Sequence, residues 1–239
     1  MSCSISVIIP AYQHALTLPA CLNALLAQTA PADEIIVVDD GSTDNTPDLL
    51  ADFEKRGVRV IRQENAGSNE ARNRGFQEAT GELLLFLDAD VVMRRAMLER
   101  LEQALHKNPT AAYAYCRFRF GWKRFASYPF SKERLCAMNY IHTTSLIRRE
   151  WFPGFDSRIK RFQDWDVWLT ILEKGGEGVF VPEELFQVCV KRGRTGISSW
   201  RPSWLYKIPW KRFRWAPSSV DKYEEARRKI FEKHGLCKT

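Results

Sequence analysis

The sequence has no long apolar run: none exceeds the six residues 111–116, against roughly 20 for a helix that spans a bilayer. Any membrane contact is therefore expected to be peripheral. The opening residues Met1-Ser2-Cys3-Ser4 carry no basic stretch, and the apolar segment behind them stops at Pro10, so no secretory signal peptide is expected. No Cys-x-x-Cys pair occurs among the six cysteines at 3, 21, 116, 136, 189 and 237. That argues against a zinc site or a disulfide framework and for reduced thiols in a cytosolic setting. Glycine and proline, 13 and 11 residues, are too few for collagen-like or low-complexity chain, and a 45% hydrophobic, 12% aromatic composition is too apolar for disorder. No Gly-x-Gly-x-x-Gly follows the first apolar segment, which disfavours a dinucleotide-binding fold.

What is present is an unevenly charged chain of 239 residues and 27.7 kDa, enough for one compact α/β domain or a domain with an appendage. Its formal charge is +7 and its pI about 9.1, but these totals hide a gradient. Residues 1–116 hold 10 basic and 16 acidic side chains, residues 117–200 hold 15 and 9, and residues 201–239 hold 11 and 4. An acidic front joined to a basic back points to two partners of opposite charge preference, not to one general polyanion binder.

The first half repeats one unit: a short, largely apolar strand, a polar turn, then a helix. Residues 5–9 read as a strand buried on both faces. Leu18, Leu22, Leu25 and Leu26 follow at helical spacing behind Thr17 and Pro19, which supply an N-cap and a first-turn signal. Strands are predicted again at 34–38, 58–62 and 83–87, and helices at 44–53, 69–79 and 97–105. A last strand at 186–190 and a charged closing helix at 221–234 complete the series. Strands alternating with helices imply right-handed crossovers and a mostly parallel sheet covered on both faces. In such sheets ligands bind at the carboxyl ends of the strands.

Those ends carry the polar residues: Pro10-Ala11-Tyr12 after the first strand, Asp39-Asp40-Gly41-Ser42 after the second, and Asp88-Ala89-Asp90 after the fourth. Four carboxylates on one rim repel one another unless a positive charge sits among them, and a divalent cation is the simple expectation. In an extended segment residues i and i+2 face one side, so Asp88 and Asp90 are expected to face one ion or its shell. Carboxylate oxygen suits Mg²⁺ or Mn²⁺, and Mg²⁺ completes its shell with water and phosphate. Taken alone, each motif also reads as a solvated turn; its place directly behind an apolar strand gives it weight.

Five blocks stand in order along the chain: Ser6-Val7-Ile8-Ile9-Pro10-Ala11-Tyr12; Ile36-Val37-Val38-Asp39-Asp40-Gly41-Ser42-Thr43-Asp44-Asn45-Thr46; Asn65-Ala66-Gly67 with Ala71-Arg72-Asn73-Arg74-Gly75; Leu87-Asp88-Ala89-Asp90; and Asp164-Trp165-Asp166-Val167-Trp168-Leu169. With them the chain resembles the family 2 inverting glycosyltransferases, which have the GT-A fold. The resemblance implies a nucleotide-diphospho-sugar donor, commonly a UDP-sugar, bound across residues 1–116, with the acceptor half of a 1–199 domain formed by residues 117–199. It implies that Asp40 accepts the uracil imide proton while Asp39 shapes the same rim. Pro10, Ala11 and Tyr12 would line the base and ribose pocket, with Asn65 and Gly67 beside it and Arg72 near the base or diphosphate. Asp90 would be the direct ligand of Mg²⁺ or Mn²⁺, with Asp88 nearer the ribose or the outer shell. Asp164 matches the family's base, which takes the acceptor hydroxyl's proton as it attacks the anomeric carbon opposite the diphosphate. A carboxylate of ordinary pKa is already ionised at neutral pH and suits that task. Asp166 is the rival candidate.

The chain departs from the family at three places. Gln163 stands where Glu usually precedes the base, Gln13 where Asn usually follows Tyr12, and Gly193 where a basic loop often carries His. In that loop Lys191, Arg192 and Arg194 remain to pair with phosphate. His142, followed by Thr143 and Thr144, reads either as an acceptor-pocket residue or as a satisfied side chain. The extension 200–239 interleaves Trp200, Trp204, Trp210 and Trp215 with Arg201, Lys207, Lys211, Arg212 and Arg214. That mixture suits an anionic membrane surface, and equally suits packing onto the domain. The partners expected are thus a nucleotide-sugar and a glycan or lipid-linked acceptor, with no nucleic acid, at the inner face of the cell membrane in envelope glycan synthesis. The other reading kept open is a catalytically silent nucleotide-sugar or membrane-surface binding protein of the same fold.

Overall fold

The computed structural model describes residues 3–189 and 218–236. The central strand β1 (Ile5–Ala11) is buried at every position, because parallel neighbours lie on both sides of it: β2 (Glu34–Asp39) and β4 (Leu83–Phe86), with β3 (Arg59–Arg62) beyond β2. This half is the repeated unit read from the sequence, with β1 running two residues past its expected end and the other strand boundaries moved by one residue at most. The other half of the sheet was not legible as strands, apart from its last few residues. Here β8 (Leu146–Arg148) pairs antiparallel with β4, and β6 (Tyr113–Phe120) pairs antiparallel with β8 and parallel with β9 (Gly178–Val188). An outer β5 (Val91–Met93) and a hairpin strand β7 (Lys123–Arg124) complete it. The strand order is β3-β2-β1-β4-β8-β6-β9-β5, and β5, β7 and β8 run against the other six.

Side chains alternate across these strands, so each face of the sheet builds its own core. Ile5, Val7 and Ile9 pack with α1 (Leu18–Leu26), α2 (Thr46–Glu54) and α4 (Met97–Lys107) on one face. Ile8, Ile36, Leu84 and Phe86 pack with α3 (Ser68–Glu78), α5 (Lys132–Ala137), α6 (Gln163–Glu173) and α7 (Ser218–Lys233) on the other. Gly75 lets α3 settle onto β1, where any added Cβ would overlap Ile8 Cγ2. Arg72, one turn earlier on α3, is thereby carried to the end of β4. Two indoles of α6 fix α5 and the strip that follows it: Trp165 Nε1 donates to Leu135 O at 2.7 Å, and Trp168 Nε1 donates to Ile141 O at 3.0 Å.

Helix α7 packs Ile230 and Phe231 into the second core and clasps α6 through ions. Lys233 Nζ lies 2.8 Å from the Asp166 carboxylate and 3.0 Å from Asp156 Oδ2. His234 sets Nε2 against Asp166 Oδ1 at 2.9 Å and Nδ1 against Glu173 Oε1 at 2.6 Å. With a carboxylate at each nitrogen, both nitrogens must donate, and the ring is an imidazolium. Burial pushes its pKa down, but the bonds and charges of Asp166 and Glu173 reverse this and leave it raised. A His raised on folding stabilises fully below its unfolded pKa of about 6.5, and that contribution is lost as pH climbs through the folded value. Urea midpoints are therefore expected to fall between pH 6 and 9 in the wild type and to fall less in His234→Asn. No helix among the described residues is long and apolar enough to cross a membrane.

Candidate active site

At the exit of β2 two buried aspartates organise the rim. Asp39 Oδ1 accepts from Ser42 N at 3.0 Å. Asp40 anchors the chain on both sides: its N donates to Ala11 O at 2.8 Å, its Oδ1 accepts from Gln63 Nε2 and Ala66 N, and its Oδ2 accepts from Gly67 N, each at 2.8 Å. Asn65 Nδ2 adds a bond of 3.0 Å to Asp40 O, and Gly67, at φ 96°, opens α3. Asp40 thus shapes the turn carrying Asn65 and Gly67, and its Oδ2 keeps acceptor capacity for a ligand N–H. Gln63 was not among the expected site residues. Pro10 and Ala11 are buried at the end of β1, while Tyr12 stands 45% exposed on the rim. Gln13, at φ 58°, ties this exit to the next one: its Nε2 donates to Thr43 Oγ1 at 2.7 Å and its Oε1 accepts from Asp44 N at 2.9 Å. The departure at 13 therefore has a structural function.

The exit of β4 meets α3 and α6 through one buried guanidinium. Arg72 Nη2 donates to Asp88 Oδ1 at 2.7 Å, and Nη1 donates to Gln163 Oε1 at 3.2 Å and to Asn69 Oδ1 at 3.3 Å. Its Cζ lies 5.2 Å from the Phe155 ring centroid. The departure at 163 thus places a neutral amide on a cation that already neutralises Asp88. Asn73, the neighbour in the same block, is bonded to the backbone of Phe155 in both directions at 2.8 Å. Burial pushes the Asp88 carboxyl up, but Arg72 and His142 outweigh it and hold the group below the ordinary carboxylate range.

His142 belongs to this centre, although nothing around it in the sequence distinguished it from an ordinary buried histidine. Its Nδ1 accepts from Thr144 N at 3.1 Å, so a neutral ring carries its proton on Nε2, which lies 4.0 Å from Asp88 Oδ2. Burial pushes the imidazole pKa down, against the pull of Asp88 and Asp164. Its ring packs 5.0 Å from Phe118 and 5.1 Å from Phe186.

Asp164 sits in the first turn of α6, facing the pinned strip. Its Oδ1 accepts from Asn139 Nδ2 and from Trp165 N, both at 2.9 Å. Burial raises its pKa despite those bonds, which corrects the expectation of an ordinary carboxylate: α6 begins beneath the 135–142 strip, with little water to solvate the charge. Asp166 faces elsewhere. Lys233 and His234 occupy its carboxylate, and it borders a separate cavity of about 550 Å³ with those residues and Asn73. The rival for the role of base is thereby committed to the α7 clasp.

Asp88 and Asp90 do not lie in an extended segment; Val91 N donates to Asp88 O at 2.9 Å and closes a turn between them. No cluster of three or more His, Cys, Asp or Glu placed to hold a metal occurs among the described residues. Two hard carboxylates still fit an ion of the Mg²⁺ type, which binds through one or two protein carboxylates and takes its other ligands from phosphate and water. Asp90 O accepts from Cys189 N at 2.8 Å, so the turn lies at the end of β9. Lys191, Arg192 and Arg194 follow there and lie outside the described residues, as do Trp200, Trp204, Trp210 and Trp215.

A family model described as Glycosyl transferase family 2 matches residues 6–171. The chain belongs to this family. The match includes Asp40, Arg72, Asp88, Asp90, His142 and Asp164 and stops before α7. Among curated relatives, an uncharacterized glycosyltransferase of Nostoc sp. is 44% identical over 41% of this chain and 31% of its own length. Glycosyltransferase GlyG of Streptococcus pneumoniae is 39% identical over 45% of the chain and 36% of its own length. The chain thus matches about a third of these two relatives' length. An uncharacterized glycosyltransferase of Haemophilus influenzae is 29% identical over 71% of the chain and 62% of its own length. S. aureus TarS 1-349 in complex with UDP-GlcNAc superposes with a TM-score of 0.71 at 20% identity, over 83% of this chain and 62% of that one. The mannosyltransferase PcManGT of Pyrobaculum calidifontis, in complex with GDP-Man and Mn²⁺, gives 0.63 at 21% identity over 96% and 70%. The family 2 chain therefore has the GT-A architecture.

Proposed function

We propose that this family 2 chain moves a sugar from a nucleotide-diphospho-sugar, of the UDP class, to an acceptor hydroxyl with inversion of the anomeric centre. One observation carries the reading: Arg72, Asp88, His142 and Asp164, from four separate segments, are interacting neighbours, with one carboxyl held low beside a cation and another raised by burial. Carboxyl groups pushed in opposite directions at the end of a parallel sheet suit a division of labour between charge binding and proton transfer.

In the reaction the acceptor O–H proton passes to Asp164 while its oxygen bonds to the anomeric carbon. On the opposite face the bond to the diphosphate oxygen breaks, and the nucleoside diphosphate leaves with the electron pair. Asp39, Asp40 and the 63–67 turn frame the base and ribose. Arg72 keeps Asp88 ionised at the edge of the diphosphate region. A Mg²⁺ or Mn²⁺ ion, held through Asp90 with Asp88 in support, would offset the charge on the leaving diphosphate. Lys191, Arg192 and Arg194 carry the charge to pair with the same phosphates.

The acceptor assigned here is a glycan or a lipid-linked glycan of the cell envelope, met from the cytoplasmic side. The composition of residues 200–217, tryptophan mixed with Lys and Arg, supports peripheral attachment to an anionic surface. A panel of UDP-sugars and GDP-mannose, each followed for slow hydrolysis, tests the donor without knowledge of the acceptor. UDP titrated calorimetrically is expected to bind at least tenfold more tightly with Mn²⁺ than with EDTA. Absence of any nucleotide binding in both conditions would overturn the reading.

A further inference from the structure

The Asp164 carboxylate is asymmetric. Both protein donors, Asn139 Nδ2 and Trp165 N, reach the same oxygen, Oδ1, at 2.9 Å, whereas Oδ2 receives no hydrogen bond from a described residue. An ionised carboxylate only accepts, so the Asn139 amide must present its NH₂ side. The cost of this is visible: Asn139 Oδ1 is buried without a partner among the described residues, and such an orphaned carbonyl is ordinarily destabilising. Asn139 itself is held between the two indole anchors, Leu135 O on Trp165 and Ile141 O on Trp168. Its distance to Asp164 is therefore set by α6, the helix that carries Asp164.

We infer that Asn139 is a positioning residue that occupies Asp164 Oδ1 and so assigns Oδ2 as the atom that removes the acceptor proton. The inference rests on Asp164 being the base. With Oδ1 saturated by two N–H groups, its remaining electron density is the less basic, and the proton of the acceptor hydroxyl goes to Oδ2 as the new C–O bond forms and the diphosphate departs. Asn139 also limits how far burial raises Asp164, because its bond favours the ionised form. The other groups acting on that carboxyl are His142, on the same strip, and Asp88, at the end of β4.

The test replaces Asn139 by Leu, which keeps the volume while removing both the donated bond and the orphaned carbonyl. In the full chain, UDP affinity with Mn²⁺ and KM for the UDP-sugar found active in the hydrolysis panel are expected to stay within twofold. The hydrolysis kcat is expected to fall about 10- to 100-fold, and the acidic limb of the kcat profile to move up by about one pH unit. A merely structural asparagine would instead lower the thermal midpoint and leave the pH profile in place. In an Asp164→Asn background, Asn139→Leu is expected to add nothing. An unchanged kcat and pH limb in Asn139→Leu, with Asp164→Asn inactive, would overturn the inference and leave the base in place. Full activity in Asp164→Asn would instead remove the base reading itself. Asn139→Ala, read the same way, replaces Asn139→Leu if that variant does not fold.

Discussion

Asp164→Asn is expected to bind UDP as the wild type does and to transfer sugar about 10²–10⁴-fold more slowly, the usual contribution of a positioned base. The carboxamide keeps the shape of the first turn of α6, and its oxygen can still accept from Asn139 Nδ2 and Trp165 N. It has no basicity with which to remove a proton. Among the described residues no hydrogen bond or ion pair joins the rim built by Asp39, Asp40 and the 63–67 turn to Asp164, so nucleotide affinity is expected to be unaltered. The raised pKa sharpens the expectation: a carboxyl lifted by burial is a stronger base than a solvated one, and its loss is correspondingly larger. Calorimetry with UDP and Mn²⁺ beside a single-turnover transfer assay separates the two effects. Equal transfer by the variant would place the base elsewhere, and Asp166, already engaged by Lys233 and His234, is poorly placed to inherit the role.

Arg72→Met carries the second large effect, on stability and activity together. Methionine retains much of the apolar stem against Phe155 but removes the cation. Asp88 then loses its 2.7 Å partner, and Asn69 Oδ1 and Gln163 Oε1 lose a donor. The Arg72 side chain is 7% exposed and that of Asp88 28%. Water can therefore reclaim part of the carboxylate, and the cost is set at about 1–3 kcal/mol, below that of a fully buried broken pair. The carboxyl of Asp88 is held low in the folded chain, so the stabilisation from Arg72 is present above the unfolded pKa of about 3.9 and is lost as pH falls through the lower folded value. Urea midpoints of wild type and variant should differ most near pH 7 and converge in strong acid. Transfer should fall at least tenfold at pH 7, because Asp88 loses the cation that holds its carboxylate in place. A variant with wild-type stability and turnover would show that the Arg72–Asp88 contact is an incidental one.

The front half of this fold was legible because three of its strands, β1, β2 and β4, are buried on both faces and read as largely apolar runs, each followed by a short polar exit. The back half resists the same reading for particular reasons. Strand β6 faces two different cores, with Tyr113 and Tyr115 on one and Ala114, Cys116 and Phe118 on the other, so its apolar residues do not alternate with polar ones until Arg117. Strand β9 contains Pro182 and the pair Glu183-Glu184, which look like a turn. In the sheet the register shifts between Cys116 and Arg117, and Pro182 and Glu183 fall in the resulting bulge, the place in a sheet where a residue without an N–H is tolerated. Strand β8 has three residues, too few for any period. The candidate site divides in the same way. Asp40, Asp88, Asp90 and Asp164 stand in recognisable blocks, whereas His142 and Asn139 acquire their roles only because the α6 indoles bring their strip over Asp164. The pKa of Asp164 was misjudged because burial is a property of the assembled layers and leaves no mark in a local motif.

The two indole anchors of α6 also bear on how such a site can be rebuilt. Residues 135–141 and the helix with the base form one mechanical unit, fastened at Leu135 and Ile141. The hairpin and the first turn of α5, residues 121–134, enter before the first fastening. They can be exchanged, lengthened or reshaped while Asp164 and its asparagine keep their spacing. Tryptophan at 165 and 168 thus holds Asp164 and Asn139 on one frame, against which the segment that precedes it can vary.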